Sequence, residues 1–284
     1  MKTRKIFLVA MLVSLGFSYS NAQINLGAKA IGALQKGVAG FTFSDIEAAN
    51  LSKVTIEKLD KESVIALPTD PYSIRLTKLF GKHSAENGLA LNFKVYISKE
   101  INAFATADGS VRVYSGLMDV MDNNELLAVI GHEIGHVANH DSRDAIKAAY
   151  RKEALIDAVA SQSDKVAAVT ETQLGKIGSA MIDSKHSRKQ ESEADTFSYD
   201  FMKRNGYNVN AVASAFEILA KMSESNQSTF LDKMMSSHPD AKERAEYAKK
   251  RAETDGLLAV YVQQKKDFSK VVPVKKPVVK KKKK

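Results

Sequence analysis

The sequence predicts an α+β domain, mainly α-helical, with a small antiparallel β-sheet next to one central helix. Three observations carry this. Apolar residues recur at spacings of three and four through most of the span from 44 to 255, the period of helices with one buried face. One short region, residues 93–114, alternates instead, as strands do. The chain has 284 residues of which 44% are hydrophobic, enough for one substantial core.

The elements follow in order. Lys2, Arg4 and Lys5 precede an apolar run from Ile6 to Phe17, too short to span a bilayer comfortably, and Ser20-Asn21-Ala22 is a small-x-small cleavage site. Residues 1–22 are therefore expected to be a signal peptide, and the protein is expected to be exported, with the periplasm as its compartment. Residues 23–40 are rich in Gly and Ala, with Ile24, Ile31, Leu34 and Val38 marking a weak amphipathic helix. Residues 44–62 read as a helix. Pro68 and Pro71 break it, and Ile74 to Glu86 reads as another. Phe93 to Ile97 alternates like a strand. Ala103 to Ala107, Asp108-Gly109 and Val111 to Tyr114 read as a hairpin with a two-residue type I′ loop.

Asp122-Asn123-Asn124-Glu125 has the form of a capping box, and Leu126, Leu127, Val129, Ile130, Ile134 and Val137 give the helix it opens a broad apolar face. That helix carries His132-Glu133-Ile134-Gly135-His136. Positions i and i+4 share a helix face, so both imidazoles can reach one metal ion while Glu133 leans toward a water on it. Two buried histidines need partners, and a metal supplies them. A third protein ligand must come from elsewhere.

Residues 143–183 are Ala-rich and helical in tendency, either a cover over the cleft or an ordinary helical layer. Beyond them, Glu191, Ala194, Asp195, Ser198, Phe201 and Met202 share one helical face that is mostly small or apolar yet holds two acids. Glu191 is a candidate third ligand. Asp195, one turn on, is a candidate acceptor for the free ring nitrogen of a ligand histidine, which fixes its tautomer. Lys189 and Glu193 fit a solvated charge run. Asn205-Gly206 ends this helix. Val209 to Ala220 forms the next, Asp232 to Asp240 reads as a loop, and Ala241 to Asp255 as a charged terminal helix. His140 does not complete an H-E-x-x-H-x-x-G-x-x-H pattern, and His83 and His186 have no supporting context.

His132-Glu133-x-x-His136 followed by Glu191-x-x-Ala194-Asp195 resembles the gluzincin metallopeptidases of the HtpX and CAAX-prenyl-protease family, in particular a soluble periplasmic branch. The resemblance extends to Asn102-Ala103-Phe104-Ala105, to Tyr114-Ser115-Gly116-Leu117, and to His238-Pro239 with Arg244 six residues after the histidine, so it spans residues 90–250. It implies a zincin-like domain over residues 23–264, one zinc ion per chain, and Glu191 rather than Glu193 as the ligand beside His132 and His136. It implies further that Glu133 is the general base and that His238 either donates to the transition-state oxyanion or binds zinc in a resting state. Asp195 and Arg244 then support the ligands, and Asn102 to Ala105 offers an exposed strand edge to an extended substrate. The family's multiple membrane helices have no counterpart here.

Composition narrows the partners. There is no Cys, which excludes disulfides, thiolate ligands and a lipid-modified cysteine. The net charge of +9 misleads, because residues 265–284 hold ten Lys and one Asp and residues 1–22 hold three basic residues and no acid, which leaves −3 on the body between them. No nucleic-acid partner is expected of such a surface. The lysine-rich tail, with Pro273 and Pro277, is expected to be disordered and is a candidate contact for anionic membrane surfaces. The expected activity is zinc-dependent endopeptidase cleavage of misfolded or unassembled envelope proteins. The alternative is an envelope chaperone or assembly factor with a largely latent zinc site.

Overall fold

The computed structural model describes residues 44–160, 171–224 and 230–264. The expected signal peptide, the Gly- and Ala-rich segment and the lysine-rich tail lie outside them. Helix α1, Asp45–Glu62, opens on a capping box in which Ser44 and Glu47 satisfy each other's backbone amides. Helix α2, Pro71–Phe80, starts earlier and stops earlier than the sequence suggests. Pro71 has a fixed φ suited to the first helical turn, and Asp70 caps it by accepting from the Tyr72 amide at 2.8 Å. Residues 81–83 and 86–88 then tighten into 3-10 turns. These turns bury His83, whose Nε2 lies 2.8 Å from the Tyr207 hydroxyl.

Strands β1 (Asn92–Tyr96), β2 (Ala103–Ala105) and β3 (Ser110–Tyr114) form one sheet in the order β1-β3-β2. The β2–β3 hairpin is antiparallel, as expected, but β1 runs parallel to β3, so the sheet is mixed. Residues 97–102 reverse the chain at the Tyr114 end, and β3 inserts between the two strands they join. The hairpin loop also differs from the expected type I′ turn. It has three residues, 107–109, with the Gly109 amide donating to the Thr106 carbonyl at 2.8 Å. Only Gly109 (φ 82°) is left-handed there, and Asp108 instead accepts from the Ser110 amide and hydroxyl.

The sheet is covered on both faces. Val95, Ala103, Ala105, Val111 and Val113 face the main core. Tyr96, Phe104 and Tyr114 face a second core built from α1 and from helices α5 (Asp141–Ala160) and α6 (Glu171–Ile182). Among the described residues, α5 and α6 thus form a helical layer on the far side of the sheet. Arg112 anchors α1 to the sheet. It is 2% exposed and donates to both carboxylate oxygens of Asp60 on α1, at 2.8 and 3.1 Å.

After β3 come α3 (Ser115–Val120) and α4 (Asn123–Ala138), the latter opened by the expected Asp122–Glu125 capping box. Helix α7 (Arg188–Arg204) is capped by Ser187 and Gln190 and ends at Asn205, with Gly206 left-handed. It is followed by α8 (Asn210–Glu224) and α10 (Ala241–Thr254), both close to expectation. Between them, Asp232–Ser237 forms a short helix, α9, where a loop was expected. It ends where Pro239 removes the amide needed to continue. Among the described residues, no helix is long and apolar enough to cross a membrane.

Candidate metal centre

Helix α4 is buried without interruption from Glu125 to Val137, so the motif histidines are removed from water. One turn apart, their Nε2 atoms lie 3.0 Å from each other. Two buried ring nitrogens facing one another need a proton or a cation to satisfy them both.

Helix α7 crosses α4 with its Ala194 backbone against Gly135. A Cβ on Gly135 would lie 3.0 Å from the Ala194 Cα and 3.1 Å from its carbonyl oxygen. This close approach brings Glu191 to the histidines. Its Oε1 is 3.4 Å from His136 Nε2 and its Oε2 is 3.5 Å from His132 Nε2. Glu193 is exposed and pairs with Lys189 at 3.7 Å, away from the cluster. His238, just past α9, completes it. Its Nδ1 lies 3.3 Å from His132 Nε2 and 3.0 Å from Glu191 Oε1.

His132, His136, Glu191 and His238 each offer one donor atom, all within 4.8 Å of one another. The separations just given run from 3.0 to 3.5 Å. A tetrahedron with metal–ligand bonds of about 2.0–2.1 Å has an edge of about 3.4 Å. Nitrogen and carboxylate donors, buried and spaced this way, fit a zinc ion.

The opposite sides of the two histidine rings are held by carboxylates. His132 Nδ1 is 2.9 Å from Asp195 Oδ1, and His136 Nδ1 is 2.9 Å from Asp141 Oδ2. Each contact fixes the ring so that Nε2 faces the cluster. Arg244 grips Asp195 with Nε at 2.9 Å and Nη2 at 2.6 Å, and reaches Glu191 Oε2 with Nη1 at 2.6 Å. The last contact is a charge pairing too poorly aligned to satisfy the oxygen by hydrogen bonding, and Glu191 Oε2 is left without a hydrogen-bond partner. The Arg244 guanidinium rests 4.1 Å from the centre of the Phe216 ring.

This charge balance sets the protonation of the site. Burial and the positive Arg244 hold the His132 imidazolium down to about 3. Burial also opposes charge on His136, but Asp141 and Glu191 outweigh it and raise that group to about 9. Glu191 is likewise penalised by burial, yet contacts from His136 and His238 keep it well below the usual carboxylate range. Glu133 differs. Burial raises it, and its Oε1 has no hydrogen-bond partner and lies 3.7 Å from His238 Nε2. A buried carboxylate with a raised pKa and a free oxygen beside a metal-binding cluster is suited to accepting a proton.

Two residues of this site escaped the sequence reading. Asp141 follows directly on His140, which adopts a left-handed conformation (φ 69°) and turns the chain back so that the aspartate reaches His136. His186 stacks on His136 with ring centroids 3.9 Å apart and planes at 15°, and its amide donates to the Ser237 carbonyl at 3.2 Å. No local pattern marks either residue. His140 itself points to solvent. The strand Asn102 to Ala105 does lie at the sheet edge, but it is buried rather than exposed, because α4 packs along it and Ser142 donates to the Ala105 carbonyl at 2.9 Å.

Comparison with known proteins agrees with the geometry. A profile described as peptidase family M48 matches residues 77–252. The chain is 38% identical over 239 residues to the metalloprotease LoiP of Escherichia coli (strain K12), covering 84% of this chain and 90% of that protein. It is 38% identical over 213 residues to the metalloprotease YcaL of the same organism, covering 74% and 82%. Over 109 residues it is 38% identical to the protease HtpX of Nitrosococcus oceani, covering 37% of each. The matched span holds both crossing helices and all four clustered donors, and the chain belongs to peptidase family M48 as a metalloprotease.

Proposed function

We propose that this chain is an exported zinc endopeptidase that cleaves misfolded or unassembled proteins of the cell envelope, with one zinc per chain. The observation that carries the reading is the buried donor cluster of His132, His136, Glu191 and His238 beside Glu133, whose Oε1 has no hydrogen-bond partner. Membership of a metalloprotease family favours this over the chaperone alternative.

A bound zinc ion supplies Lewis acidity, polarising the scissile carbonyl and acidifying a water. The chain does the rest. Glu133 takes the water's proton and delivers it to the leaving amine, helped by burial, which raises its pKa. His238 takes two parts. With Nδ1 among the donors it closes the site in a resting arrangement, and when displaced it becomes the donor to the developing oxyanion. Asp195, Asp141 and Arg244 hold the ligands in place throughout.

An extended substrate pairs with β2 only at the part of its edge that α4 and Ser142 leave uncovered. The Asn102 carbonyl and Thr106 amide bond toward β3, so by alternation Ala103 and Ala105 direct their backbone groups outward. Asn102 Oδ1 already accepts from the Ala103 amide and Ser142 already serves the Ala105 carbonyl. The Ala103 carbonyl and the Ala105 amide are the outward groups left for substrate. The lysine-rich tail carries the chain to anionic membrane surfaces.

The test is degradation of an unfolded casein-type substrate by the purified mature protein, before and after chelation and with zinc restored. Activity lost on chelation and regained with about one zinc per chain supports the reading. Full zinc in Glu191→Ala with loss in Glu193→Ala moves the third ligand and overturns the assignment.

A further inference from the structure

Beyond α10 the chain runs as an irregular strap past Asn210 and across the N-terminal end of α4, and its apolar residues face out. Apart from the Tyr261 ring, which packs on the main core, its inward contacts are hydrogen bonds. The Ala259 amide donates to Asn210 Oδ1 at 3.0 Å, and the Leu257 carbonyl accepts from Asn210 Nδ2 at 3.0 Å. The Tyr261 hydroxyl donates to Asp122 at 2.7 Å, and the Gln263 amide group donates to the Val120 carbonyl and to Glu125 at 2.9 and 2.8 Å. The Gln264 amide donates to Asp122 at 2.8 Å. The outward residues are apolar. Val260 is 92% exposed, Val262 77%, Leu258 49% and Leu257 42%.

A surface segment ordinarily turns its apolar side chains inward and its polar ones out. Here the anchors at both ends of α4's capping box hold the reverse arrangement, so the exposure of the valines is fixed by hydrogen bonds. The strap continues in sequence directly into residues 265–284, with ten Lys and one Asp. Exposed apolar side chains joined to a dense positive run are the two elements that together hold a protein on an anionic bilayer, where neither alone suffices.

We propose that Leu258, Val260 and Val262 form a docking surface for anionic lipid bilayers, entering the boundary between headgroups and acyl chains while the lysines that follow pair with lipid phosphates. The inference rests on the reading of the tail as a membrane contact and adds to it an apolar, salt-resistant part. It also sets the site's position. His132 and His136 lie nine and thirteen residues along α4 from Asn123, about 14 and 20 Å at 1.5 Å per residue, so the strap and the metal centre occupy different ends of the helix.

The chain contains no Trp, so Val260→Trp installs a single reporter. Full-length Val260→Trp protein is mixed with vesicles of phosphatidylcholine containing phosphatidylglycerol, and with vesicles of phosphatidylcholine alone. A blue shift of its emission on the anionic vesicles only is the expected result. In parallel, Val260→Ser/Val262→Ser protein should co-sediment at low salt but lose the binding that wild type keeps at about 1 M salt, where charges are screened within about 3 Å. If wild type sediments with anionic vesicles while the indole emission of the Val260→Trp protein stays unshifted and the double variant binds like wild type, the strap inference is overturned and the tail reading stands. If wild type sediments with no vesicle, both fall.

Discussion

Gly135 sits inside the H-E-x-x-H stretch, and the structure gives it a mechanical duty that its position in the motif does not announce. A methyl group there would meet the Ala194 Cα at 3.0 Å, the Ala194 carbonyl at 3.1 Å and the Phe197 Cβ at 3.1 Å. Two of these are backbone atoms of α7, which cannot rotate away. Gly135→Ala gains about 1 kcal/mol of helix propensity but incurs roughly 1–3 kcal/mol of overpacking. The net loss is up to about 2 kcal/mol, a fall in Tm of several degrees at about 2–4 °C per kcal/mol. The larger effect is on metal. Relieving the contact moves α4 and α7 apart by a few tenths of an ångström, comparable to the tolerance of about 0.2 Å on metal–ligand distances. Zinc affinity should therefore fall on the order of tenfold, as when an outer hydrogen bond to a ligand is lost. Gly131→Ala is the control. Its methyl would meet the Phe201 ring edge at 3.0 Å and Ser198 Oγ at 3.4 Å, and a ring edge can turn. Thermal melts and competition with a chromophoric chelator measure both variants. A Gly135→Ala protein with wild-type Tm and zinc affinity, or one milder than Gly131→Ala, refutes the idea that helix contact sets the donor geometry.

Other expected outcomes follow from the site and the scaffold. Asp195→Asn and Asp141→Asn should each weaken zinc binding about 10- to 100-fold in the same competition assay, since each removes a carboxylate that holds a ligand ring; wild-type affinity in both would show that ring orientation is set elsewhere. His186→Ala should lower zinc affinity while His186→Phe preserves it, because the contact with His136 is a ring stack; equal loss in the two variants would show that a ring nitrogen is needed instead. Asp60→Asn should destabilise the fold by about 3 kcal/mol in denaturant titration, leaving buried Arg112 without its charge partner. Burial opposes ionisation of Asp60, but Arg112, Lys94 and Tyr96 together hold its folded pKa below the ordinary value. Its contribution is thus complete above the unfolded pKa of about 3.9 and is lost as pH falls through the folded value. Wild type should lose more stability below about pH 4 than Asp60→Asn does, the remaining loss in the variant coming from other depressed carboxylates such as Glu191 and Asp195.

The parts of the molecule that sequence makes legible are those fixed by local chemistry. The Asp122–Glu125 capping box places the start of α4, and helical periodicity places α7, α8 and α10. The spacing of His132 and His136 is a property of one helix, so their convergence is readable without a fold. Contacts decided between distant segments are not. Nothing local tells that β3 inserts between β1 and β2, so the parallel pairing is a tertiary outcome. The hairpin loop shows a finer limit, because Asp108-Gly109 signals a turn but the capture of Ser110 by Asp108 selects the three-residue form. Asp141 and His186 join the metal cluster only through a left-handed residue at His140 and through the pairing of the α6–α7 connection with the end of α9. Residues 232–237 lack a strong periodic face and read as a loop, yet the buried Met234 seats them as a helical turn that aims His238.

The central claim is that Glu133 moves the proton in a zinc-dependent hydrolysis for which His132, His136 and Glu191 hold the metal. The most direct measurement is the rate of peptide cleavage by zinc-loaded Glu133→Gln protein beside zinc-loaded wild type, with zinc content determined on the same samples. The amide keeps the size of the side chain but cannot accept a proton at neutral pH. The account predicts equal zinc and a cleavage rate lower by at least about 100-fold. Equal zinc with unchanged turnover would contradict it.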